Sequence, residues 1–319
     1  MVKRLKRKLL YSRSNRRVIK WARRIILPGF EGFSLYEISR FFFRALFTGN
    51  LVMRASAISF KLFLAFFPAV IVLLTMIPYI PINDFQTKLL TTFHDMLPGE
   101  VYTFIESTLH DLLIKKHGTL LSVSFLVGVY MASNSIDAIL AGFSDSTNHT
   151  TWHTPLKQRL LSIGLLFALT ILTMIAIPLL TFSGTVIYQL DQLGFFTSYF
   201  QVAALFAAKW VVSILVVVMF VSLLYNAGDP TARRFRLFTP GAILAMLLIL
   251  LVSQVLAFFF SSITDYNALY GSIGAILAVQ FWLYFNMIVL LVGYELNTSI
   301  VKARIMRSEH LQAPIVPAV

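Results

Sequence analysis

Residues 238–262 read FTPGAILAMLLILLVSQVLAFFFSS, twenty-five positions without one charged side chain. A helix needs about 20 apolar residues to cross some 30 Å of hydrocarbon, so this run spans a membrane. It is apolar on every face and shows no period-2 alternation, which excludes a barrel strand. Lipid offers the backbone no hydrogen bonds, so the segment must be helical. Working outward, five more stretches have the same character: about 55–80, 119–143, 160–187, 203–226 and 272–300. Composition agrees. Of 319 residues, 58% are hydrophobic and 13% charged, and there is no cysteine. Ordinary soluble chains carry about 25% charge. A soluble enzyme, a disordered tail and a disulfide-stapled secreted domain are all excluded.

Lysine and arginine give the orientation. The segment before the first span (1–54), loops 144–159 and 227–237 and the C-terminal tail hold 22 of the 27 basic residues. The three alternate loops hold only Lys88, Lys115 and Lys116. The positive-inside rule then places both termini in the cytoplasm. The expected architecture is an all-α integral membrane protein with six transmembrane helices and amphipathic N-terminal helices. Its parts are a basic cytoplasmic or interfacial segment, 1–54, a six-helix transmembrane domain, 55–300, and a cytoplasmic tail, 301–319. No cleavable signal peptide is expected, because no apolar core precedes position 40.

Residues 1–27 hold 11 basic side chains and no acid, interrupted by Leu, Ile, Val and Trp. This pattern predicts a segment lying on an anionic leaflet, with membrane lipids as partners. The adjacent membrane accounts for the charge, so nucleic acid is not expected as a partner. Pro28-Gly29 ends the segment, and 34–48 predicts a second short interfacial helix. The external loop 81–118 is divided by Pro98-Gly99 and predicts two short helices joined by a turn.

Charges inside spans need a reason. Lys61, Asp137 and Glu295 all lie roughly 8–9 Å deep from the cytoplasmic side at 1.5 Å per residue. Arg54 lies just below them. Asn134 shares a helix face with Asp137, and Asn297 lies close to Glu295. One reading is a cytoplasm-facing polar cavity that binds substrate through Arg54, Lys61, Asn134, Asp137, Glu295 and Asn297. The other is a structural ion pair that fixes helix register. Lys209, near the outer end of its span, is expected to snorkel outward. The outer connection between the last two spans, with Tyr266, Asn267, Tyr270 and Gly271, is either a gate or a hydrogen-bonded turn.

Three stretches carry a resemblance: Arg54-Ala55-Ser56-Ala57-Ile58-Ser59-Phe60 continuing to Phe66-Phe67-Pro68; Thr239-Pro240-Gly241-Ala242; and Tyr266-Asn267-Ala268-Leu269-Tyr270-Gly271-Ser272-Ile273-Gly274, followed by Trp282-Leu283-Tyr284 and Gly293-Tyr294-Glu295-Leu296-Asn297. Over about 35–305 the chain resembles the YihY/BrkB family of bacterial inner-membrane proteins, once labelled ribonuclease BN-like. Two positions depart from the family's usual pattern. Lys61 stands where an aromatic or apolar residue is usual, and Tyr294 where a small one is common. The resemblance implies a multi-pass protein of the bacterial inner membrane, with no settled activity to carry over.

Catalytic signatures are missing. There is no Walker motif, no H-E-x-x-H and no nucleophile elbow. His149 and His153 have i, i+4 spacing, but only Asp145 is near them in sequence. No catalytic residue, metal site or cofactor is expected, and the chain is read as not an enzyme. The leading expectation is transport of an anionic or amphiphilic solute, lipid included. The alternative is a non-transporting scaffold or envelope-assembly factor.

Overall fold

The computed structural model describes residues 20–26, 29–82, 84–96, 99–147, 154–192, 199–229, 234–262 and 272–312. Most of the basic segment 1–27, His149 and His153, and the whole of Tyr266, Asn267, Tyr270 and Gly271 lie outside them. Among the described residues there is no strand. The helices are α1 (Leu35–Thr48), α2 (Leu51–Met76), α3 (Phe85–Met96), α4 (Gly99–Ile114), α5 (Gly118–Thr147), α6 (Pro155–Gln192), α7 (Tyr199–Ala227), α8 (Pro240–Ser262) and α9 (Ser272–Gln312). Six are long and apolar enough to cross a membrane: α2, α5, α6, α7, α8 and α9. These are the six runs read from sequence.

Helix α1 starts where its sequence says it should. The Ser34 hydroxyl accepts from the Glu37 backbone N–H, and the Glu37 carboxylate accepts from the Ser34 N–H at 2.9 Å. This reciprocal cap satisfies two donors that a helix start leaves bare. Gly49 and Asn50 then turn the chain into α2, with Asn50 in the left-handed region (φ 47°). The 81–118 segment forms the two expected helices, α3 and α4. Leu109 and Leu113 of α4 are buried, and α4 rests on α2.

Helix α2 packs most extensively on α5, and α9 runs against α8, α2, α1 and α5. Helix α9 is thus the central post. Serines inside the bundle return their hydroxyls to carbonyls one turn back, as Ser133 does to Tyr130 and Ser135 to Met131. Their polarity is satisfied without an outside partner. Large apolar side chains face outward along the spans: Trp210 is 66% exposed and Phe258 73%. That surface suits a hydrocarbon solvent.

The main core runs through α2, α5, α6, α7, α8 and α9, with its aromatic centre where α5, α7 and α9 meet. Tyr294 stacks on Phe143 with ring centroids 4.1 Å apart, and its hydroxyl donates to the Gly228 carbonyl at 2.6 Å. The Tyr225 hydroxyl donates to the Leu290 carbonyl at 2.7 Å. The tyrosine that departs from the family's usual small residue therefore fills a space between helices. Gly241 of α8 and Gly293 of α9 bring two backbones together. A Cβ on Gly241 would land on the Gly293 carbonyl. A smaller core joins Phe30 and Phe33 to Ile38 of α1 and to Ile300 and Ala303 of α9.

Candidate functional site

The intramembrane polar residues assemble into three separate junctions. At the first, Arg54 of α2 meets Glu295 of α9 at 2.7 Å, with side chains 7% and 2% exposed. A second guanidinium nitrogen of Arg54 donates to the Gly142 carbonyl at 2.7 Å. One arginine therefore ties α2, α5 and α9. At the second, the Asp137 carboxylate accepts from Gln158 at 2.8 Å, with Ser162 at 3.5 Å. Asp137 thus faces α6. At the third, the Asn297 side chain accepts from the Gly241 N–H at 2.8 Å and donates to the Thr239 hydroxyl at 3.0 Å. It thereby satisfies one of the bare donors at the start of α8.

Lys61 is half-buried and, among the described residues, joins neither carboxylate in an ion pair. Asn134 is half-buried one turn before Asp137. Lys209 is half-buried on α7. The structure thus brings Arg54 to Glu295 and Asn297 to α8, and leaves Lys61, Asn134 and Asp137 apart from both.

A cavity of about 560 Å³ opens instead at the end of the bundle that carries α1 and the end of α9. Its floor is Tyr225, Tyr294 and Asn297, and its charged wall is Arg234, Arg236, Arg304, Glu31 and Asp229. The loop that carries the first two arginines is fixed by Asn226. That side chain accepts from the Arg236 N–H at 2.9 Å and donates to the Arg236 carbonyl at 3.0 Å. The Ser222 hydroxyl donates to the Leu237 carbonyl. On the opposite side Glu31 accepts from Arg236 at 3.3 Å and from Arg304 Nε at 2.5 Å.

Among the described residues no group of three His, Asp or Glu side chains converges as a metal site would require. Of the described residues expected from sequence, only Asn297 lines this cavity. Arg234, Arg236 and Arg304 entered the sequence reading only as charges that set topology. Glu31 went unmarked beside the glycines of its turn. The available signal was the Gly29–Gly32 pair bracketing one acid at the end of a basic segment.

The sequence profile described as virulence factor BrkB matches residues 42–314. A protein of Bacillus subtilis named as ribonuclease-like, YfkH, is 28% identical over 259 residues, 81% of this chain and 92% of its own. A UPF0761 membrane protein of Xanthomonas campestris is 24% identical over 270 residues, 82% of this chain but 60% of its own length. A UPF0761 membrane protein of Idiomarina loihiensis is 27% identical over 100 residues, 31% of this chain and 35% of its own. No solved structure matches. With the profile running from α1 to the end of α9, the chain belongs to the BrkB family and is a membrane protein.

Proposed function

We propose that the chain takes the anionic head of a solute or lipid into the arginine-walled cavity and passes it across the bacterial inner membrane. The observation that carries this reading is the cavity itself. Its volume, about 560 Å³, lies within the usual range for small-molecule sites, and three arginines stand in its wall. Guanidinium groups offer forked donors that match carboxylate and phosphate oxygens. The lysine and arginine bias, 22 against three, turns this end of the bundle to the cytoplasm. The basic segment 1–27 then gathers anionic lipid in the same leaflet. In this reading the chain performs no covalent chemistry.

The test uses the full chain in vesicles containing headgroup-labelled phosphatidylglycerol, with label exchange between leaflets followed by quenching. Faster exchange than in protein-free vesicles is expected. It should fall to the protein-free rate in the Arg234→Gln/Arg304→Gln variant with the fold retained. A water-soluble phosphate ester trapped inside the vesicles covers the solute case. No acceleration of either overturns transport. The scaffold reading would then stand, favoured by the buried Arg54–Glu295 pair, which sits sealed among helices rather than on a path.

A further inference from the structure

Glu31 holds a place in the cavity that an anionic ligand would want. Its two carboxylate oxygens are used separately, Oε1 by Arg236 and Oε2 by Arg304. The two arginines come from different elements, the loop before α8 and the end of α9. This divided grip is how two guanidinium groups hold a phosphate or a carboxylate.

The backbone that presents Glu31 is built for the purpose. Glu31 has φ 53°, a left-handed conformation that L side chains resist, and it lies between Gly29 and Gly32 at φ 84° and 83°. Phe30 and Phe33 are buried on either side and hold the turn down against α9. Gly29 lies on Pro240 so closely that a Cβ would come within 2.7 Å of the ring. The turn therefore carries one carboxylate to the wall of the cavity and keeps it there.

The grip is also weak enough to release. Arg236 and Arg304 are 64% and 50% exposed and Glu31 26% exposed, so water screens both pairs. Inorganic phosphate or a phosphate monoester carries more charge than a carboxylate and at least three acceptor oxygens, whereas the phosphodiester of a lipid headgroup carries one charge and competes with the help of its acyl chains. With Glu31 in place, three arginines in the wall face two carboxylates, Glu31 and Asp229; once Glu31 withdraws they face one.

We infer that Glu31 is a tethered anion that closes the cavity by occupying the site of a phosphate-type group, and that such a group opens it by displacing the carboxylate. This inference rests on the reading of the cavity as an anion site. The phosphate can belong to a lipid headgroup or be free in solution.

The test titrates the full chain, in nanodiscs of phosphatidylcholine at fixed ionic strength, with inorganic phosphate in one arm and a water-soluble short-chain phosphatidylglycerol in the other. Calorimetry reads the affinity. Removing a competitor that fills nine sites in ten tightens binding about tenfold, and that gain is expected for Glu31→Gln. Adding Arg304→Gln should cancel it. Glu31→Asp, which withdraws the carboxylate by one methylene, should give a smaller gain of the same sign and serves if Glu31→Gln does not fold. A gain in both arms means the phosphate alone suffices; a gain in the lipid arm alone means the acyl chains also bind. Equal affinity in wild type and both variants overturns closure by Glu31 and leaves the anion site standing. No binding by any of them overturns the anion site as well.

Discussion

At the scale of single residues, the sharpest prediction concerns the sealed ion pair. Glu295→Gln strips the opposite charge from a guanidinium that is 7% exposed and should destabilise the protein by about 3–5 kcal/mol. Replacing Arg54 and Glu295 together by apolar residues of similar volume should cost far less, because no buried charge is orphaned. Reversible unfolding in mixed micelles, compared across the three variants, checks both statements. The pair also shows what the sequence could and could not say. Depth along a helix follows from position at 1.5 Å per residue, so the sequence can set an expected level for Lys61, Asp137 and Glu295. Rotation about the axis was not legible, because an all-apolar helix has no polar face to fix it. Asp137 turned to Gln158 on α6, Glu295 turned to Arg54, and Lys61 joined neither. A second residue-scale prediction lies outside the bilayer. The Asp111 carboxyl is held below its ordinary range, first by its hydrogen bond to Lys115 and also by the nearby charges of Lys115 and His117, though partial burial opposes them. A lowered carboxyl stabilises the folded form at any pH above the ordinary value of about 4, and that stabilisation fades as pH falls through the lowered value. Protection factors for amide exchange at residues 115–118, corrected for the intrinsic pH dependence, should fall over that acid window, and Asp111→Asn should abolish the change.

Between elements, α8 and α9 are joined by backbone contact rather than by side-chain bulk. Gly293→Ala would drive a methyl into the Tyr225 hydroxyl, the Gly241 carbonyl and Ala245, and each of these is itself buried or in the backbone. Forcing bulk into a filled core typically costs about 1–3 kcal/mol, and here the two helices must also part. Lower thermal stability with loss of the α8–α9 crosslink between cysteines engineered one turn from the contact is the expected result. At the start of α1, Ser34→Ala should cost about 1 kcal/mol by removing the reciprocal cap. The helices themselves were plain in the sequence, because hydrocarbon leaves a spanning backbone no alternative. The pair α3 and α4 followed from the Pro98-Gly99 break. The turn at 29–32 did not, because its reason is a contact with α9 more than 260 positions further along the chain.

At the scale of the molecule, the charge bias predicts that the cavity and both ends of the chain share one side and that α3 and α4 lie on the other. The chain has no cysteine, so single cysteines report cleanly. A cysteine at Asp95 should react with an impermeant maleimide in intact cells, and one at Arg307 only after the membrane is opened. Reaction at both before permeabilisation would refute the assigned sidedness. The cavity was beyond sequence reading because its lining is gathered from three distant stretches of chain: the 29–32 turn, residues 225–240 from the end of α7 to the start of α8, and α9. That gathering also sets an order of events during synthesis. Phe30 and Phe33 leave the ribosome more than 260 positions ahead of Ile300 and Ala303, the residues they pack on. Until then the two aromatic rings must shelter elsewhere, and the bilayer surface is the nearest apolar refuge. The carboxylate between them can meet Arg236 before α9 is made, but it gains Arg304 only once α9 has entered the bundle, so the two-sided grip on Glu31 is completed late.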